Sequence, residues 1–264
     1  MGADRVWVIV RLLVIALIAV GCSAGCGAKG AGPAAPASSS ILSTVATSPA
    51  GAVTTSSPAA TGAPPVSAEA QAVGFVDVRT VVPNAIVNLR YATPNNFTGA
   101  PLYPADARCL VYESMAPSLA AAAKALGEGE VLVFWDCYRP HDVQVRMFQL
   151  VPDPEWVARP GPYSRSHEAG RSVDVTIASA QERCAAPQQL GGLCLVDMGT
   201  DFDEFSTRAN AFATEGVSAT ELANRSRLRQ AMSTGGLTPY SGEWWHFDGP
   251  DARVERSIIN VPVS

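Results

Sequence analysis

The chain has 264 residues, is 47% hydrophobic, and carries a formal net charge of −5 with a pI near 5.2. That is enough apolar material for one sizeable core, and one globular domain with appendages is the expectation at this length. The acidic balance and the lack of a basic run exclude a nucleic-acid partner; the scattered Arg225, Arg227 and Arg229 read as the solvated face of a helix.

Met1–Val20 reads as a targeting segment. Arg5 and Arg11 supply positive charge, and Leu12–Val20 is an apolar run too short to span a bilayer comfortably. Ala19-Val20-Gly21-Cys22 follows the pattern of a bacterial lipobox, with Ala19 where Leu is usual. Residues 1–21 are therefore read as a signal segment and Cys22 as the lipid acceptor. The mature protein would then sit in the cell envelope, outside the cytoplasmic membrane and held by its lipid alone. Residues 22–72 are Ala, Gly, Pro, Ser and Thr with almost no charge, too poor in large apolar side chains to offset the entropy of ordering. They read as a disordered linker, and residues 73–264 as the folded domain.

Within the domain, Ala85–Tyr91 is a strand candidate. Ala116–Leu126 is Ala-rich with Pro117 near its start, a helix signature. Glu130–Asp136 is an apolar run bounded by charge, a buried strand. Asp142–Leu150 follows Pro140 and reads as a helix, Ser172–Ala178 alternates as a strand does, and Ala219–Met232 is a helix stopped by Gly235-Gly236. Glu243–Phe247 fits a strand. Strands and helices interleave without a Gly-rich phosphate loop. The expected fold is thus α+β: a small central antiparallel sheet flanked by helices.

Besides Cys22 and Cys26, the cysteines are Cys109, Cys137, Cys184 and Cys194. An even number in an exported domain points to disulfides. Of three possible pairings, Cys109–Cys137 would join two apolar runs expected to be neighbouring strands, and Cys184–Cys194 would close a short local loop. No CxxC spacing supports a cysteine-ligated metal.

Three histidines occur, His141, His167 and His246. His167 lies in Ser166-His167-Glu168-Ala169-Gly170-Arg171-Ser172-Val173-Asp174, where a glycine can turn the chain so that an imidazole and a carboxylate converge. Glu243-Trp244-Trp245-His246 sets a carboxylate and an imidazole around two indoles that would exclude water. Two imidazoles and one carboxylate leave one position of a tetrahedral zinc open for water, with Glu243 as the natural base. Arg139, in Asp136-Cys137-Tyr138-Arg139-Pro140, is the candidate to stabilise an oxyanion. His141 reads as a surface or helix-start residue.

The ordered set DCYRP, SHEAGRSVD, DMGTDFD and EWWHF resembles the D-alanyl-D-alanine dipeptidases (VanX-type), within the superfamily of lysostaphin, the D-Ala-D-Ala metallopeptidases and the hedgehog signalling domain. The resemblance covers Phe75 to Phe247, and Tyr91–Gly99 is similar to that family's N-terminal substrate-side segment. It implies one Zn²⁺ per chain, in a cleft on the sheet, held by His167, Asp174 and His246, with Glu243 as catalytic base and Arg139 steadying the tetrahedral intermediate. It further implies Asp203 receiving the substrate's ammonium, with Tyr91 and Ser166 beside the substrate. The implied substrate is D-Ala-D-Ala or another short peptide containing D-amino acids. Arg165 stands where many members have Ser, and Ser179–Val196 is a local elaboration. A D,D-carboxypeptidase acting on stem peptides and a non-catalytic zinc module are the alternatives.

Overall fold

The computed structural model describes residues 63–180, 183–184 and 188–264; the signal segment, Cys22, Cys26 and most of the linker lie outside the described residues. A short helix, α1 (Ala68–Ala72), opens the ordered part, capped by the Ser67 hydroxyl. Arg108 donates to the carbonyls of Pro64 and Pro65, and Ala70 is fully buried. Buried Arg108 thereby fixes the backbone just ahead of α1.

The strands are β1 (Phe75–Asp77), β2 (Ile86–Val87), β3 (Leu110–Tyr112), β4 (Glu130–Asp136), β5 (Ser172–Ser179), β6 (Gln189–Leu190), β7 (Leu193–Leu195), β8 (Thr238–Pro239) and β9 (His246–Asp248). The longer helices are α2 (Ala116–Lys124), α3 (His141–Leu150) and α4 (Ala219–Thr234). β1 and β3 form a separate antiparallel ribbon, while the other seven strands make one sheet in the order β2-β4-β5-β7-β6. β9 joins that sheet by pairing with β5, and β8 by pairing with β9. The fold is α+β, but the sheet is mixed: β2 runs parallel to β4. Ala85–Tyr91 supplies only this two-residue strand before turning into a 3-10 segment, Arg90–Ala92, which buries Tyr91.

β5 is buried along its whole length, with β4 on one edge. Its other edge is divided, Ser172–Asp174 pairing with β9 and Ala178–Ser179 with β7. Side chains alternate along a strand, so Val173, Val175 and Ile177 face one way, into the core, and Asp174 faces the other. The register sets Asp174 opposite His246 across β9 and opposite Asp136 across β4. Three polar residues thus form a row across three adjacent strands.

α2 packs against α4, and the approach is close at Gly235, where a Cβ would lie 2.2 Å from the Ser118 carbonyl oxygen. α4 begins in a capping box between Ser218 and Glu221. Arg227 is exposed, as expected of a solvated face, but Arg225 departs from it. Arg225 is 1% exposed and donates to the carbonyls of Met198, Arg208 and Asn210. Those carbonyls belong to an irregular segment with no ladder partner, and a buried carbonyl without a donor is costly. The guanidinium supplies the donors, so α4 pins the stretch that carries Asp203.

Both expected disulfides form, Cys109–Cys137 and Cys184–Cys194. The first does not join paired strands. It links the residue before β3 to the residue after β4, tying the ribbon to the main sheet beside Arg139. In chain-entropy terms a loop of 28 residues corresponds to about 3–4 kcal/mol.

Candidate active site

His167 sits on a 3-10 turn, Ser166–Ala169, immediately before β5. Gly170 closes the turn at φ +62°, where a Cβ would stand 2.6 Å from the Phe75 ring, so only glycine lets the chain double back and deliver His167 and Asp174 to one place. His246 opens β9, opposite Asp174. His167 Nε2 lies 3.0 Å from His246 Nδ1, and each is 3.2 Å from Asp174 Oδ1. All three residues are buried, and their ligand atoms fall within 4.8 Å of one another.

The outward-facing ring nitrogens fix what this cluster can hold. His167 Nδ1 donates to the Cys137 carbonyl (2.7 Å), so a neutral His167 turns a bare Nε2 lone pair inward. His246 Nε2 donates to Asp248 Oδ1 (3.0 Å). One cation, a proton on His246 or a metal ion, must then lie among two nitrogens and a carboxylate. Burial lowers the His246 pKa, but its hydrogen bonds to Asp174 and Asp248 outweigh this and raise it to about 10. The set fits a divalent metal: nitrogen and oxygen donors at one point, tautomers set by outer partners. Asp248 escaped sequence reasoning, although it lies two residues beyond His246 and therefore on the same strand face. Ser172 also donates to it, and the Ser166 hydroxyl donates to Ser172. Ser166, expected beside the substrate, lines the cavity but commits its hydroxyl to this chain. Asp248→Ala is expected to weaken metal binding about 10–100-fold, read by competition with a chromophoric chelator; unaltered affinity would show that Asp248 does not orient the ring.

Arg139 emerges at the end of β4. Its Nε and Nη2 donate to Asp136 Oδ2, and its Nη1 donates to Gln144 Oε1. Three of five guanidinium N–H groups are thereby committed, which leaves two for a ligand. Nη2 is 3.9 Å from Asp174 Oδ2, and the guanidinium carbon lies 5.3 Å from the centre of the Tyr91 ring. The fully buried Asp136 also accepts from the Tyr103 hydroxyl. Asp136 and Gln144 were not singled out in the sequence; only their partners reveal them.

Glu243 follows the β8–β9 turn, with Oε2 3.8 Å from His246 Nδ1. Burial raises its pKa, while the imidazoles and Arg139 pull the other way. The neighbouring indoles are buried, as their bulk suggested, and Trp244 Nε1 donates to Thr200. Asp203 adopts φ +56° and accepts from the Tyr91 hydroxyl at 2.8 Å. Burial and the nearby Glu243 carboxylate push its pKa well above the usual range. A carboxylate so placed favours a cationic partner.

All eight expected metal, catalytic and substrate-side residues line one cavity of 390 Å³: Tyr91, Arg139, Ser166, His167, Asp174, Asp203, Glu243 and His246. Phe97, Trp156 and Phe205 add an aromatic wall, and Arg165 sits at the rim over Tyr163. His141 is the first residue of α3, as read, but it is not idle on the surface: its Nδ1 lies 2.5 Å from Glu168 Oε1.

A mixed sheet that brings two imidazoles and a carboxylate to one point, with a basic carboxylate and an arginine beside them, defines a hydrolase of the metallopeptidase class. Comparison with known proteins narrows this. The peptidase family described as D-ala-D-ala dipeptidase matches residues 71–264, and the chain belongs to that family. It is 33% identical over 179 residues to the D-alanyl-D-alanine dipeptidase of Escherichia coli (strain K12), covering 67% of this chain and 86% of that protein. To the D-alanyl-D-alanine dipeptidase of Enterococcus faecium it is 30% identical over 210 residues, 72% of this chain and 98% of the relative.

Proposed function

We propose that the chain hydrolyses the dipeptide D-alanyl-D-alanine with one zinc ion, in the cell envelope. The observation that carries this reading is the meeting, in one cavity, of the His167–Asp174–His246 cluster with Glu243, Arg139 and Asp203. His167 Nε2, one Asp174 oxygen and His246 Nδ1 would hold the ion. Bound there, zinc supplies Lewis acidity, polarising a carbonyl and lowering the pKa of water to about 7.

The chain's own groups do the rest. Glu243 takes a proton from the attacking water and returns it to the leaving amine. Arg139 directs its two remaining N–H groups at the developing oxyanion, held in place by Asp136 so that little reorganises during reaction. Asp203 receives the substrate ammonium in a charge-assisted hydrogen bond, and the Tyr91 hydroxyl fixes the carboxylate. An ammonium there offsets the repulsion between Asp203 and Glu243, which gives a free dipeptide an advantage that an N-blocked peptide lacks.

The test compares D-Ala-D-Ala with N-acetyl-D-Ala-D-Ala on wild type and on Asp203→Ala. The wild type is expected to prefer the free dipeptide strongly, and Asp203→Ala to lose that preference. Equal cleavage of both peptides by wild type would give the lead to a D,D-carboxypeptidase acting on stem peptides.

Export and lipid attachment at Cys22 belong to the same proposal, supported by the lipobox-like Ala19–Cys22 and by two disulfides suited to an oxidising compartment. Mass spectrometry of the mature protein should find a diacylglyceryl-modified Cys22 at its N-terminus; a mature chain starting elsewhere would remove the anchor.

A further inference from the structure

We infer that Gln144 is a positioning residue that couples the guanidinium of Arg139 to the wall of the substrate cavity; this rests on the role given to Arg139 above. Gln144 lies in the first turn of α3 and is 3% exposed. Its Oε1 accepts from Arg139 Nη1 at 2.7 Å, and its Nε2 donates to the Ala158 carbonyl at 2.6 Å. The orientation of the amide is forced, because a guanidinium only donates and a carbonyl only accepts.

The two partners belong to opposite sides of the same function. Arg139 stands at the reacting centre. Ala158 belongs to the segment joining α3 to the His167 turn, and Pro154, Trp156, Val157 and Arg159 from that segment line the cavity. Among the described residues, the Gln144–Ala158 contact is the hydrogen bond that reaches residues 153–163 from outside them. The segment is also held by packing: Val157 is part of the core, Trp156 stacks on Phe205, Arg159 lies over Phe148 and Arg165 over Tyr163. Asp136 holds the Nε and Nη2 edge of Arg139, and Gln144 holds Nη1. Two anchors fix the plane of the guanidinium and so the aim of its remaining N–H groups. A displacement of the wall is passed through one rigid amide to Arg139.

Two substitutions separate the halves of this link. Gln144→Met keeps the size and loses both hydrogen bonds. Gln144→Glu keeps an acceptor for Arg139 and loses the donor to Ala158. With the metal-loaded protein and D-Ala-D-Ala, Gln144→Met should lower kcat about 10²-fold, the scale of a misplaced catalytic group, and raise KM. Gln144→Glu should recover most of kcat while KM stays raised. Hydrogen exchange across residues 153–163 should quicken in both variants. The Arg139 side-chain ¹⁵N resonances should move in Gln144→Met and return in Gln144→Glu. An unchanged kcat in Gln144→Met, equal kcat loss in both variants, or unchanged exchange across 153–163 would overturn the inference. If wild type fails to cleave D-Ala-D-Ala, the proposed substrate is wrong, and the exchange and resonance measurements still decide the link.

Discussion

Glu243→Gln is expected to keep the fold and the bound metal and to lower kcat by about 10²–10⁴-fold, the usual contribution of a general base. The substitution preserves shape and one carbonyl oxygen but removes the atom that accepts the proton. The residue is not a member of the buried three-residue cluster, so metal stoichiometry should stay at one per chain. Its neighbours Trp244 and Trp245 are packed in the core independently of the carboxylate, so the melting temperature should change little. The acid limb of the wild-type kcat/KM profile should report protonation of Glu243, and the variant should lack that limb. Full activity in Glu243→Gln with metal retained would remove Glu243 from the chemistry.

Asp174→Ala is expected to abolish activity by a different route, through loss of the metal. Asp174 Oδ1 is 3.2 Å from both ring nitrogens, and without it the cluster keeps two imidazoles and loses its one carboxylate ligand. Zinc content after dialysis should fall to background in Asp174→Ala and stay stoichiometric in His141→Ala; the reverse pattern would overturn the ligand assignment. The same geometry sets a pH dependence. In the metal-free protein His246 is protonated up to about pH 10. Binding must therefore expel one proton, and apparent metal affinity should rise about tenfold per pH unit below that value. A calorimetric titration in buffers of different ionisation enthalpy should count that proton. A pH-independent affinity between pH 6 and 8 would show that the proton is not there.

Much of the site was legible because its chemistry comes in short contiguous motifs. Gly170 between His167 and Asp174 announces a reversal, and the structure places that glycine at positive φ against Phe75. Strands β4 and β5 were readable from continuous apolar runs, and helices α2 and α4 from a proline near the start of one and glycines after the other. The short strands β1, β3 and β8 have two or three residues each, too few to carry a period, and they exist because a neighbouring backbone supplies their hydrogen bonds. The disulfide pairing was legible as arithmetic, although the strands it was expected to join lie in different sheets.

By itself the sequence singled out the residues proposed to carry chemistry: His167, Asp174, His246, Glu243 and Arg139 by residue type within local motifs, and Asp203 through the family resemblance those motifs carry. Only the tertiary structure decided who holds them. Asp136, Gln144 and Asp248 are ordinary polar residues in the chain, and their roles come from bonds to Arg139 and His246. Arg225 reads as a surface charge until carbonyls of a distant segment close around it. The physical reason is common to all four. A side chain's intrinsic chemistry is fixed by its covalent structure, but its partner, burial and charge state depend on which groups folding brings within about 3 Å, and that is a property of how strands, helices and connecting segments pack and not of any segment read alone.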